Sequence, residues 1–293
     1  MRRPGPLALV LLLVAALLVA AGCGGGGGKD LTDGLTPQQI VDRAQAATAR
    51  LKSYHVAATA KADVDAVPGA VDGTLARLLR QPVQVEGAGS VARPDSVTFD
   101  LTATIGGLPV QANVTKIGGD LYLTALGQDF KIQLPAAQVA LVRAAEAAPS
   151  LLSWISDPKE VGRERIDGTE TVHLRGGVDV DAMVDDLSGL LRQAPGLVGG
   201  STPTPAEVRA ARRQIRSALK RGQVDVWVGT EDLLPRRATS SILLQGRTDL
   251  LPQLRRAALD ISAELSRFDE PVQITAPANP QPLDPGNLGN LAP

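Results

Sequence analysis

Aromatic residues, histidine and cysteine are scarce in this chain: its 293 residues include three Phe, two Tyr, two Trp, two His and one Cys. So few rings cannot supply the stacking platforms that hold nucleobases or sugars, and 30 basic against 31 acidic side chains leave no positive field for a phosphate backbone. Nucleic-acid binding is excluded on both counts. One Cys forbids an intrachain disulfide, and two His with one Cys cannot build the usual zinc cage. Neither G-x-S-x-G nor H-E-x-x-H occurs, and no nucleophile and base are paired by any motif, so the sequence points to no enzyme and to no cofactor. What is abundant is aliphatic: 44% of the residues are hydrophobic and only 2% are aromatic.

The N-terminus carries Arg2 and Arg3, then an apolar run of 15 residues from Leu7 to Ala21. That is short for a hydrocarbon core of about 30 Å and fits the apolar region of a secretory signal. Leu18-Val19-Ala20-Ala21-Gly22-Cys23 places small residues before the only Cys and resembles the bacterial lipobox, in which the Cys receives a diacylglycerol and becomes the mature N-terminus. Ala20 departs from the commoner Leu at its position, and a plain signal peptide cut before Gly22 is the alternative. Residues 1–22 are thus expected to be removed, with acylated Cys23 anchoring the exported protein to the outer face of the cell membrane. Losing Arg2 and Arg3 takes the net charge from −1 to −3. Residues 23–35, which include Gly24 to Gly28, form a flexible tether with an expected root-mean-square span of roughly 20 Å.

Residues 36–275 follow as one domain. Thr36-Pro37-Gln38-Gln39 spells an N-cap, a Pro at the first helical position and a capping-box Gln, with Ile40, Ala44, Ala47 and Leu51 at helical spacing. From Tyr54 the period becomes two: Tyr54, Val56, Ala58, Ala60, Ala62 and Val64 alternate with polar residues. The same alternation recurs through Val83 to Val91, Val97 to Ile105, Leu108 to Val114, Leu121 to Leu123 and Phe130 to Leu134, with Gly106-Gly107 and Gly118-Gly119 as turns. This predicts an antiparallel meander with one wet and one apolar face. Helical patterns are expected over 136–156, 179–192 and 205–220, a loop over 193–205, and further strands near 169–175, 223–228, 237–244 and 258–268. Residues 276–293 lack any period and read as a disordered tail.

About ten strands in one antiparallel sheet will curl, and the apolar face must be covered. Either helices pack directly on it as an ordinary core, or the scarcity of bulky rings leaves a dry aliphatic void able to take an acyl chain. Several local signals have plainer explanations. Gly87-Ala88-Gly89-Ser90-Val91-Ala92 fits G-x-G-x-x-A but lies inside a strand, and Asn113-Val114-Thr115 is a sequon in form only. His55 and His173 read as strand-surface or hydrogen-bonded histidines, and Trp227 as a core residue in preference to a cap on a cavity mouth. Arg209, Arg212, Arg213, Arg216 and Lys220 recur on one helix face, either solvated or facing anionic headgroups of a lipid or membrane; Arg236 and Arg237 extend the patch if their strand lies beside it.

Residues spread over most of 35–277 resemble the mycobacterial LppX/LprA/LprF/LprG lipoproteins: Leu35-Thr36-Pro37, Lys52-Ser53-Tyr54-His55-Val56, Val224-Asp225-Val226-Trp227-Val228, Leu234-Pro235-Arg236-Arg237 and Phe268-Asp269-Glu270-Pro271-Val272. The resemblance implies an α+β fold, a single strongly curved antiparallel half-barrel with helices on the concave face enclosing an apolar cavity, similar in architecture to the LolA/LolB carriers. It also implies that apolar strand positions face the cavity. These are Val97, Phe99, Leu101 and Ile105; Leu108, Val110 and Val114; Leu121 and Leu123; and Leu259, Ile261 and Leu265. The function so implied is a non-enzymatic carrier of lipid or acylated glycolipid towards the cell envelope, with an envelope lipid transporter as a partner. An accessory lipoprotein acting by protein contact is the alternative.

Overall fold

The computed structural model describes residues 29–66, 81–132, 150–193, 204–246 and 254–283. The signal segment, Cys23 and the glycine run lie outside the described residues, as do residues 136–149, 194–203 and 284–293. The helices are α1 (Pro37–Arg50), α2 (Ser150–Ser153), α3 (Val180–Gln193) and α4 (Pro205–Ala218). The strands are β1 (Ser53–Ala66), β2 (Val83–Ala92), β3 (Ser96–Ile105), β4 (Leu108–Ile117), β5 (Asp120–Ala125), β6 (Gln128–Ile132), β7 (Ile155–Ile166), β8 (Thr169–Val178), β9 (Leu219–Gly229), β10 (Pro235–Gln245), β11 (Leu254–Ser266) and β12 (Gln281–Leu283).

All twelve strands form one open sheet, in the order β12-β6-β5-β4-β3-β2-β1-β11-β10-β9-β8-β7. Every pairing is antiparallel except that of β12 with β6. The predicted glycine turns are present, with Gly106, Gly107 and Gly118 at positive φ, where a side chain would be strained. Thr36 caps α1 through the predicted box: its hydroxyl accepts from the Gln39 N–H and the Gln39 side chain accepts from the Thr36 N–H. Ile40, Val41, Ala44 and Thr48 turn the buried stripe of that helix onto the sheet, and burying Ile40 and Val41 stabilises the docking by about 1.5 to 3 kcal/mol each.

One contiguous core joins α1, α2 and α3 to strands running from β3, through Val97, to β7, through Ile155. Laid flat, those eight strands would span about 34 Å, whereas α1, at 14 residues, is about 21 Å long. α3 and α4 pack on each other over a small satellite core of Val180, Val184 and Val208.

Four local differences from the sequence reading have physical causes. Residues 155–156 are not the end of a helix but the start of β7, a sheet edge. Its Pro158 falls where the register skips between Ser156 and Lys159, and an edge strand tolerates both the missing N–H and the broken alternation. α4 ends at Ala218, so Lys220 belongs to β9. The expected tail contains β12, whose Leu283 is buried and which covers the edge of β6. Finally, the tether is docked from Asp30 onward. The Leu31 N–H donates to the Thr230 carbonyl at 2.7 Å, and Asp30 accepts from the Thr32 hydroxyl at 2.6 Å and from Arg163 at 2.5 Å. The Thr32 bond is the main reason that the Asp30 carboxyl sits at about 2, with the Arg163 bond adding to it against the opposing effect of burial. Its pKa being lowered on folding, Asp30 supports this docking fully above pH ~4, and the support is lost as pH falls towards 2.

Candidate functional site

The register lays the apolar side chains of β1 to β6 out in rows. Tyr54, Val91, Val97, Lys116, Leu121 and Ile132 are direct neighbours across the sheet, and beside them run Val56, Gly89, Phe99, Val114, Leu123 and Phe130. The next rows are Ala58, Gly87, Leu101, Ala112 and Ala125, then Ala60, Val85, Ala103 and Val110. Leu265, Ile261 and Leu259 of β11 pair with Val56, Ala60 and Ala62 and continue the same face. The residues expected to line a cavity thus share one face; for Ile105 the register fixes only its pairing with Leu108.

That face is sealed at one end and open at the other. Under α1 the first row is closed, with Tyr54 0%, Val91 1% and Val97 3% exposed. Towards the far end exposure rises to 37% at Val85, 52% at Val110 and 70% at Leu108. On the side of β8 to β11 the rows are instead capped by helices, and Val172, Leu174, Val224, Val226 and Val228 are fully buried. Of the residues that the resemblance implies line a cavity, Leu108 and Val110 are thus exposed, whereas Val97 and Leu265 are buried in the core.

Small residues make the floor of the open half, and they were not among the expected lining residues. An added Cβ at Gly87 would stand 2.7 Å from Leu101 Cδ2, and one at Gly89 would stand 2.6 Å from Phe99 Cδ1. The two large side chains of β3 thus lie over the glycines of β2, and Ala58, Ala60, Ala103 and Ala112 keep the surroundings shallow. The G-x-G pattern is a packing device of a strand. Its signal in the sequence was the run of small residues at alternating positions.

Lys116 enters the closed row and is almost fully buried, its ammonium donating to the Asp95 carbonyl at 3.3 Å. Two of the five residues of the basic face, Arg212 and Arg216, are paired within the fold. Arg212 bonds Asp185, and Arg216 donates to Asp181 at 2.8 Å, both acids belonging to α3. Arg209 and Arg213 are exposed, and Lys220 is exposed on β9. Arg236 and Arg237 do not extend the patch: Arg236 lies over Phe268 and pairs with Asp232, and Arg237 pairs with Glu264.

The opposite face of the sheet is polar. Trp227 is there, not in the core, stacked on His173 at 4.2 Å with its indole N–H donating to Glu164. Beneath it Asp225 is buried and accepts from Gln223, Arg175 and His173, each at 2.7 Å. Burial pushes the Asp225 carboxyl up, but those three bonds outweigh it and hold it below the ordinary aspartate range. His55, hydrogen-bonded to Ser90 at 3.2 Å, is held below the ordinary histidine range by burial and then by Arg267. A hollow of about 540 Å³ on this face is lined by Ala57, Thr59, Glu86, Ala88, Asp100 and Glu264 among others; the three carboxylates in its walls do not suit acyl chains. Among the described residues no group of three or more His, Cys, Asp or Glu is placed to hold a metal ion.

Comparison with known proteins agrees with the sequence resemblance. No curated protein sequence matches the chain. Among solved structures it is similar to the lipoprotein LppX of Mycobacterium tuberculosis, at 17% identity and a TM-score of 0.44, over 81% of this chain and 97% of that one. It is similar also to LprF of Mycobacterium bovis, at 17% identity and a TM-score of 0.46, over 83% and 97%. A LolA-superfamily protein of Nitrosomonas europaea aligns at 11% identity and a TM-score of 0.22, over 82% and 95%. The description LppX_LprAFG lipoprotein matches residues 36–274, most of the 293-residue chain, and the protein belongs to that family of lipoproteins.

Proposed function

We propose that the protein is a membrane-anchored lipid carrier. Cys23 holds it by acyl chains to the outer face of the cell membrane, and the open half of the sheet takes up the acyl chains of a lipid or acylated glycolipid on their way towards the envelope. The observation that carries this reading is the aliphatic face of β2 to β4 emerging from beneath the helices, exposed at Val85, Val110 and Leu108. Apolar surface of this kind costs free energy in water, and each acyl CH₂ laid on it recovers about 0.8 kcal/mol. Transfer of a lipid across water needs only that its chains stay covered, so no bond is made or broken.

The test uses the non-acylated protein, produced in cells whose membranes supply lipid and purified from their soluble fraction. Native mass spectrometry is expected to show a co-purifying species of lipid mass, and a fluorescent acyl probe is expected to bind. Val110→Trp should weaken probe binding about ten-fold, since a large ring would fill the shallow floor beside Ala103, while the midpoint of thermal unfolding stays within about 2 °C because Val110 is half-exposed. A bare protein that also ignores the probe would leave the apolar face to contact with a protein partner and end the carrier reading.

A further inference from the structure

The docked N-terminal strap and the open apolar face lie at opposite ends of the sheet. Asp30, Leu31 and Thr32 are bound to Arg163 of β7 and to Thr230 in the turn after β9. That turn, the β7–β8 turn at Asp167-Gly168 and the start of β1 share the end sealed by α1. In the register, Val110 stands in the row of Ala60, Ile261, Ser240 and Val224, six residues down β9 from Thr230. Leu108 is two residues further on, so the open end is displaced by about 25 Å along the strands.

Only seven residue steps lead from Cys23 to Asp30, whereas thirteen lead to Thr36. A glycine-rich leash of the shorter length has a root-mean-square span of about 15 Å, and the longer one about 20 Å. With the strap docked the leash is shorter than the drop to the open end, and full extension, near 25 Å, would be needed merely to match it.

We propose that the strap holds the sealed end of the sheet, with the β7–β8 and β9–β10 turns, against the anchoring membrane, and that the open apolar face points away from it, towards an acceptor lipid surface on the far side. This rests on the lipidated carrier reading above and adds a direction to it: cargo leaves at the end distal to the anchor. Release of the strap as far as Thr36 lengthens the leash and makes a 25 Å reach several-fold more frequent, which gives the same face access to the anchoring membrane.

The experiment uses the full acylated protein reconstituted in liposomes that contain headgroup-nitroxide lipid. A bimane label is placed on Glu231→Cys, exposed in the turn after β9, or on Leu108→Cys, exposed at the open end. The label at 231 is expected to be quenched several-fold more than that at 108. Asp30→Ala should raise quenching at 108 several-fold. So should an insertion of about ten Gly and Ser residues after Gly28, which lengthens the leash and leaves the clamp intact. Equal quenching at the two sites with the strap intact would overturn the orientation, and unchanged quenching at 108 in both strap variants would overturn the role of the strap. Protein that fails to float with the liposomes at all removes the anchor itself, a failure of the lipidation reading that flotation detects before any quenching is measured.

Discussion

Replacing Cys23 by Ala is expected to move the protein almost completely from the membrane fraction to the soluble one. Two acyl chains of about sixteen carbons each, at about 0.8 kcal/mol per CH₂, would hold the wild type by on the order of 20 kcal/mol. Against that, no helix among the described residues is long and apolar enough to cross a membrane. On α4, Arg212 and Arg216 are engaged by Asp181 and Asp185, and the exposed Arg209 and Arg213 would add only about 1 kcal/mol each at an anionic surface. Fractionation of cells that express either form, with the mass of the N-terminal peptide as a control for acylation, measures the effect. Retention of the Ala variant in the membrane fraction would refute the anchor.

The second large effect is expected at Gly89. A Cβ there would stand 2.0 Å from the Thr98 carbonyl oxygen, as well as against the Phe99 ring. The carbonyl belongs to the backbone of β3, so relief requires that two paired strands move apart. Gly89→Ala is expected to destabilise the fold by about 3 kcal/mol, which for a domain of this size lowers the unfolding midpoint by roughly 6 to 12 °C. Gly87→Ala makes the informative contrast. Its nearest contact is Leu101 Cδ2 at 2.7 Å, the far end of a side chain that can rotate away, and a cost of under about 1 kcal/mol is expected. Thermal unfolding of the two variants side by side checks this; equal midpoints would show that the close approach of β3 to Gly89 is not maintained in solution.

Legibility followed the locality of each signal. The capping box of α1 and the turns at Gly106-Gly107 and Gly118 were readable because a few adjacent residues contain all the chemistry involved. β7 was not readable, since an edge strand interrupted by Pro158 and carrying Lys159, Glu160, Arg163, Glu164 and Arg165 has no clean period; only its pairing with β8 makes it a strand. The placement of Trp227 in the core failed for a related reason. Alternation correctly set it opposite Val226 and Val228, but what covers that face depends on His173 of β8 and Glu164 of β7.

Neighbouring residues alone specified the class of fold, the faces of the strands that alternate cleanly and the family to which the chain belongs, because alternation and turns are written locally. Tertiary structure alone decided how that face is shared out. Val97 and Val110 obey the same alternation on adjacent strands, yet one is sealed under α1 and the other lies half in water. It also decided that Arg212 and Arg216 meet acids of their own fold and that Asp30 ties down what composition presents as free tether. The partners in these ion pairs lie from 27 to 133 residues away along the chain, and no local pattern in a sequence records which distant surface a residue will meet.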